Sequence, residues 1–378
     1  MEQEGAASLV VAEPPSVEPA PEPVRSPERG LRVSRAVAMK PVAAVAGVLL
    51  FVFALQLIKA GAKGLVPLLD GLEVSGAANA TGFGWLLAYA ALSGSPVAAI
   101  GITLLAGGVL SESEAFGVVG GSRLGASFIV LAVGFFLYVR KRRNSDGLYI
   151  GVVALLTTFT TQGPALLLGL VSLHYGWLDG VRFETPNGLL DIIDTVYGPP
   201  VDALVDLLPR WALFGTGVGV LLGSFTVFDR ALPQLESEGE GISRALHFLH
   251  RRPLMFLMGC LITATTMSVS ISLTLLVPLS LKGYIKRDQI IPYVMGANIT
   301  TFIDTLVGAV LLGGAAAFTV VLTEMLSVAA VSLTVLVLLY GPYSRMVLAV
   351  AGQATRNQRS LGVFLGAIVA VPAVLLLL

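Results

Sequence analysis

The chain has 378 residues, 55% of them hydrophobic and 13% charged, with 24 Lys and Arg balanced by 24 Asp and Glu. Globular domains carry about 25% charged residues, so this composition and a mean hydropathy of +0.84 exclude a large soluble core and specify an integral membrane protein. A single cysteine, Cys260, excludes an intrachain disulfide and any multi-cysteine metal site.

Residues 1–38 open with acids (Glu2, Glu4) and run Pro- and Glu-rich to Arg29, with no apolar stretch of signal-peptide length. They read as a disordered cytoplasmic tail, with docking of a partner on the prolines as the alternative. A membrane span needs about 20 apolar residues, and Pro41 to Ala60 supplies the first. Arg25, Arg29, Arg32, Arg35 and Lys40 precede it, which places the N-terminus inside and the span running outward, although Lys59 and Lys63 follow it.

Gly76 to Leu110 is too long for one span and is interrupted by Ser93-Gly-Ser-Pro96. Pro and Gly together stop a helix, and freed backbone groups in a bilayer must be buried or line a cavity. The expectation is a re-entrant hairpin of two half-length helices, with the acidic turn Ser111-Glu-Ser-Glu114 outside. A second break is expected at Gly120-Gly-Ser-Arg-Leu-Gly125, leading into an inward span that ends at Arg140-Lys-Arg-Arg143. Leu148 to Leu173 returns outward carrying Thr157, Thr158, Thr160, Thr161, Gln162 and Pro164. Residues 176–210 are acidic and amphipathic, and read as an external loop with one or two surface helices.

Trp211 to Phe228 then runs inward to a basic cytoplasmic segment. Leu254 to Leu281 is again over-long, with a hydroxyl-rich centre from Thr263 to Ser270 and a basic turn, Lys282-Gly-Tyr-Ile-Lys-Arg287, expected inside. Ile290 to Leu312 runs outward, Ala316 to Tyr340 runs inward with Glu324 near its middle, and Leu361 to Leu378 closes the chain. The expected fold is therefore an all-α polytopic membrane protein of two inverted repeats, residues 39–175 and 211–378, each with a discontinuous helical hairpin.

Within the Ile290 span lies a polar island, Met295-Gly-Ala-Asn-Ile-Thr-Thr-Phe-Ile-Asp-Thr305. Ionisable groups at membrane depth are costly and mark functional sites by default, while Gly296-Ala297 gives the backbone freedom to break. The alternative is a packing seam of small residues. An upstream counterpart exists: Gly121-Ser-Arg-Leu-Gly-Ala126 matches Gly296-Ala-Asn-Ile-Thr-Thr301, and Ser93-Gly-Ser95 is set against Ala264-Thr-Thr266. Repeats of this kind place substrate and coupling ions near the membrane midplane.

At these residues the chain resembles the sodium/phosphate cotransporter family (type II, including its bacterial members). That family carries two inverted copies of a Gln-Ser-Ser-Ser cluster followed by Gly-Ala-Asn-Ile-Gly-Thr. Gly296 to Thr301 matches the latter at five of six positions, Thr263-Ala-Thr-Thr266 stands where the former is expected, and Arg123 replaces the first copy's Asn. The resemblance spans roughly residues 45–340 and implies cation-coupled (sodium-driven) symport of phosphate or a similar oxyanion across the plasma membrane by alternating access. The lost Gln and Asn positions leave another anion, proton coupling, or a non-transporting scaffold as alternatives.

The substrate-binding set expected on this basis is Ser93, Ser95, Arg123, Thr265, Thr266 and Asn298. The cation-binding set is Ser268, Asn298, Thr301, Asp304 and Thr305, oxygen ligands suited to a hard cation, with Thr301, Asp304 and Thr305 on one helix face. Arg123 has a planar fork that binds oxyanions, and is expected to pair with Asp304 in an empty site. Its alternative is snorkelling to the outer surface. Glu324 is a candidate proton site, or a protonated carboxyl resting on Thr323. No enzymatic activity is expected, since no His lies deep in a span beside Ser93 or Ser95 and no His-Glu-x-x-His occurs. No resident cofactor or nucleic-acid partner is expected. The expected partners are phosphate or a related anion, sodium or a proton, and the lipid bilayer.

Overall fold

The computed structural model describes residues 27–71, 74–140, 146–181, 183, 185–231, 251–281 and 285–378. Among the described residues seven helices are long and apolar enough to cross a membrane: Pro41–Gly71, Glu112–Phe136, Gly147–His174, Arg210–Val227, Arg287–Leu311, Ala315–Ala354 and Gln358–Leu376. The described residues form helices and their connections, and the protein is a membrane-embedded all-α molecule. The expectations for residues 1–26, the basic run Lys141–Arg143, the Lys282–Tyr284 turn and the polar segment 232–250 lie outside the described residues.

The first helix, α1 (Pro27–Gly61), starts earlier than expected. Residues 27–38 are part of it, with Pro27 in the first turn, where its missing N–H leaves no helical bond unmade. A 3-10 turn (Ala62–Leu65) and α2 (Val66–Gly71) extend it. The expected hairpin follows as α3 (Gly76–Ala91) and α4 (Ser95–Ala106), of 16 and 12 residues. At 1.5 Å per residue each spans about 18–24 Å, short of the roughly 30 Å hydrocarbon core.

α5 (Glu112–Ala126) and α6 (Phe128–Arg140) form the next span. The break expected at Gly120–Gly125 is absent there, and the discontinuity falls at Ser127 instead. α7 (Asp146–His174) is one long helix, α8 (Asn187–Leu207) is the single amphipathic helix of the acidic loop, and α9 is Arg210–Ala231.

The second hairpin is α10 (Arg252–Thr266) and α11 (Val269–Leu281), of 15 and 13 residues. α12 (Arg287–Thr300) runs through Gly296 without breaking, and joins α13 (Phe302–Leu311) at Thr301. α14 (Ala315–Thr334), a π-helical segment (Val335–Leu339) and α15 (Tyr340–Ala354) are continuous, so the helix runs on past Tyr340, where the inward span was expected to end. α16 (Gln358–Leu376) packs on α3, where Asn79 donates to the Leu376 carbonyl at 2.6 Å.

Why the glycines do not break their helices is visible in what a side chain there would meet. A Cβ on Gly121 would overlap the Thr81 carbonyl and crowd the Trp85 amide, and one on Gly84 would overlap the Val118 carbonyl. In the second half a Cβ on Gly296 would overlap the Phe256 carbonyl and crowd the Cys260 amide, and one on Gly259 would overlap the Tyr293 carbonyl. Absence of a side chain lets α3 meet α5, and α10 meet α12, backbone against backbone.

Each of these residues recurs at the same spacing: 259 − 84, 293 − 118, 296 − 121, 256 − 81 and 260 − 85 all equal 175. The hairpin tips obey the same spacing. Leu92 and Met267, also 175 apart, are the two non-glycine residues with positive φ (50° and 47°) among those described. This corrects the expected alignment of the hydroxyl clusters. At this spacing Ser93 and Ser95 fall on Ser268 and Ser270, not on Ala264 and Thr266, since the left-handed residue sets the tip and Thr263–Thr266 belong to the helix before it.

The two ends of the bundle differ in charge. Arg252 stacks on Tyr340 at 4.4 Å, Arg287 on Tyr149 at 4.6 Å, and the Tyr340 hydroxyl donates to the Asp288 carbonyl, which gathers the starts of α7, α10, α12 and α15 at a basic end. At the acidic end the Lys59 ammonium donates to the Leu312 carbonyl, the Thr185 hydroxyl donates to the Val310 carbonyl, and the end of α4 (Gly107) rests against Ala62. Glu114 caps the start of α5 through Ser111 and accepts from the Gly76 amide.

The glycine crossings give a direct test. Gly121→Leu and Gly259→Leu are each expected to lower the Tm of the detergent-solubilised protein, the overpacking costing about 1–3 kcal/mol or more. Gly219→Leu, with nothing near its Cβ position, is expected to leave Tm within a degree or two of the parent, about the size of an uncrowded surface change.

Candidate functional site

Arg123 and Asp304, which the sequence offers as a pair, meet in the interior. Arg123 is 4% exposed and Asp304 7%. The Arg123 guanidinium donates from Nη1 to Thr301 Oγ1 at 3.2 Å, and from Nη2 to Asp304 Oδ1 at 3.4 Å and Thr305 Oγ1 at 2.5 Å. It also stands 4.8 Å from the Phe302 ring centre, a cation–π contact. The Thr305 hydroxyl donates to Asp304 Oδ1 at 2.8 Å. Snorkelling is thereby excluded: α5 carries Arg123 on the face opposed to α13, and the charge is satisfied inside.

The pair is loosely made. A bidentate Arg–carboxylate fork has two parallel bonds of about 2.7–2.9 Å, whereas here one long bond joins them and Arg123 Nε and Asp304 Oδ2 have no partner. Both groups retain capacity for another ligand.

A second buried carboxylate lies on α14. Glu324 is 0% exposed and its Oε1 accepts from the Gln162 side-chain amide on α7. The carboxylate rests against Gly120, where a Cβ would come within 2.8 Å of Oε1. Gly120 stands one turn before Arg123, so the two carboxylates flank the same stretch of α5. The expected partner Thr323 is not the one used: its hydroxyl donates to the Thr319 carbonyl at 2.7 Å, back along its own helix, while the next residue turns toward α7.

Asn298, the residue 175 positions after Arg123, donates its amide to Thr158 Oγ1 on α7 at 3.1 Å. Thr158 stands in a hydroxyl-rich run, and nothing in the sequence distinguishes it from Thr157 or Thr161.

The hairpin tips converge. Leu92 and Ser93 from the first, with Ser268, Ser270, Ile271 and Thr274 from the second, line one cavity of about 430 Å³. Ser93 and Ser268, expected in the substrate and cation sets, share this cavity with Ser270 and Thr274, while Arg123, Asn298, Thr301, Asp304 and Thr305 are not among its lining residues. Ser270 is legible only once the spacing of 175 is known. Ser95 is buried at the start of α4 and is not among the residues lining this cavity. Thr265 and Thr266 do not reach it either: their hydroxyls donate to Leu261 and Ile262 carbonyls one turn back, and Thr265 faces outward. A smaller cavity of about 100 Å³ between α1, α9 and α13 is lined by Phe51, Phe225, Met267 and Asp304. The second tip therefore separates two cavities. The first tip, at Gly94, abuts the Ser122 carbonyl and Ala126, beside Arg123.

Compared with known proteins, the chain matches no family model, no curated protein and no solved structure.

Removing one member of a buried ion pair leaves the other charge uncompensated and costs about 3–5 kcal/mol. Arg123→Gln is expected to be destabilised on that scale, and the double substitution Arg123→Gln/Asp304→Asn to be more stable than Arg123→Gln alone. Thermal and chemical unfolding in one detergent measures both, and a double variant no better than the single would mean that the two charges do not compensate each other.

Proposed function

We propose that this protein is a secondary active transporter, a divergent member of the sodium/phosphate cotransporter family, that couples cation movement to the entry of inorganic phosphate or a similar oxyanion. The observation that carries the reading is the unsaturated Arg123–Asp304 pair beside two interrupted hairpins whose tips share a cavity. Discontinuous helices facing each other at depth are the plan on which transporters build midplane sites.

The chemistry of coupling follows from charge compensation. Guanidinium stays ionised, and presents a planar fork matched to an oxyanion. An anion arriving at Arg123 competes with Asp304 for the same Nη2 and releases a buried carboxylate. That carboxylate, with the hydroxyls of Thr301 and Thr305, is a set of hard oxygen donors, and its uncompensated charge draws in a cation. Anion and cation then load together, because either alone leaves a bare charge in a low-dielectric interior.

Two inverted repeats are part of this reading. What supports the inversion is direction. The start of α3 is bonded to Glu114 at the acidic end, whereas α10 starts beside Tyr340 at the basic end. The same holds for α5 and α12, the residues of which recur at a spacing of 175. With positive residues inside, the basic end is cytoplasmic and the acidic α8 is external. The plasma membrane is the proposed location.

Purified protein in liposomes, given labelled phosphate under an imposed sodium or proton gradient, tests the reading. Accumulation above protein-free vesicles is expected under one of the gradients, and roughly tenfold or more lower in Arg123→Lys, which loses a charge-assisted bond of about 1.5–3 kcal/mol. Absence of uptake under both gradients from folded protein would overturn phosphate transport.

A further inference from the structure

Among the described residues three side chains that ordinarily carry charge are buried: Arg123, Asp304 and Glu324. One guanidinium, always protonated, faces two carboxyl groups. If both carboxyls were ionised the cluster would hold a net negative charge in a medium that cannot solvate it. One proton removes the imbalance, and the geometry says where it sits.

Asp304 has its counter-ion in contact, and a hydroxyl donating to the same oxygen. Glu324 has no cation at hydrogen-bonding distance. Its partner is a neutral amide, and the pair has a particular defect: Glu324 Oε2 and Gln162 Oε1 are both buried acceptors without a donor. Each belongs to one member of a pair already joined through Gln162 Nε2 and Glu324 Oε1. A single proton on Glu324 Oε2 supplies the donor that both oxygens lack, closing an acid–amide ring of two hydrogen bonds.

The elements packed against α14 offer no other charge to Glu324. α5 brings Arg123, with Glu112 and Glu114 at its far start, and α13 brings Asp304. α7 brings Gln162, its Tyr149 and His174 lying at opposite ends. α12 brings Tyr293, hydrogen-bonded to Ser272, with Arg287 and Asp288 at its start. α4 has no titratable side chain, nor has the π-helical segment.

We infer that Glu324 is a proton-binding site in which the proton is shared with Gln162 while Asp304 stays ionised against Arg123. The proton comes from bulk water and returns to it, forming and breaking only the Oε2–H bond. On the transport reading, to which this adds, the second carboxyl gives the cluster an exchangeable proton alongside the cation drawn to Asp304. The proton's part in transport rests on that reading, but its presence does not.

Infrared spectroscopy of the full chain in lipid at neutral pH tests this without any uptake assay. A protonated-carboxyl C=O band that shifts in D2O is expected in the parent protein and lost in Glu324→Gln. Gln162→Leu, which removes the ring partner and touches no other member of the cluster, is expected to move the band to higher frequency and serves if Glu324→Gln fails to fold. No such band in the parent, its persistence in Glu324→Gln, or an unmoved band in Gln162→Leu would each overturn the assignment. A transporter inactive on phosphate but showing these band changes would leave the proton site standing and remove only the transport reading.

Discussion

A guanidinium that cannot shed its proton, buried in the interior, is the constraint around which its neighbours are arranged. Arg123 needs an anion, hydroxyl oxygens and a polarisable surface, and Asp304, Thr301, Thr305 and Phe302 supply them from the joint between α12 and α13. The pair is not a device for stability, since a well-packed apolar pair commonly does as well. What it does is make each half of the molecule incomplete without the other. α5 would carry a bare charge if α13 moved away, unless something else replaced Asp304.

The hairpin tips show a second kind of constraint. Helices too short to cross a bilayer would leave end groups that lipid cannot satisfy, so such ends have to be buried or open to a polar cavity. Leu92 and Met267 turn the chain in the left-handed region, which costs about 1–2 kcal/mol for a residue with a side chain and persists only when the surroundings hold it. Packing of Gly94 on α5 and the shared cavity between the tips are those surroundings. Ser268 assists by accepting from the Ile271 amide at the start of α11.

Much of this is legible in the chain because membrane sequences are nearly binary. Ser93-Gly-Ser-Pro96 interrupts an apolar run, and Arg123, Asp304 and Glu324 stand alone in theirs, so the first hairpin and the three buried charges are visible without a structure. The glycines mislead, because a Gly that frees the backbone and a Gly that admits another backbone look the same; Gly121 and Gly296 are of the second kind. The second tip falls within the expected hydroxyl-rich centre, but the sequence aligns the hydroxyl clusters four residues off, because Met267 carries no turn signature and its neighbouring threonines spend their hydroxyls on their own helix. Gln162 and Glu324 find each other through the packing of α7 on α14, which no local pattern encodes.

The glycine crossings also decide where the molecule can yield. Between α3 and α5, and between α10 and α12, backbone lies on backbone, and α1 and α9 are joined likewise at Gly61, Gly64 and Gly217. Contacts of that kind have no rotamers to exchange and no slack to take up. The polar contacts of α5 with α13, and of α7 with α12 and α14, are different in kind, made of side-chain tips: an arginine reaching hydroxyls, an asparagine reaching a threonine, an amide reaching a carboxyl. The glycine crossings thus hold α3 to α5, α10 to α12 and α1 to α9 as stiff units, while the side-chain contacts of Arg123, Asn298 and Glu324 are the ones with partners to exchange.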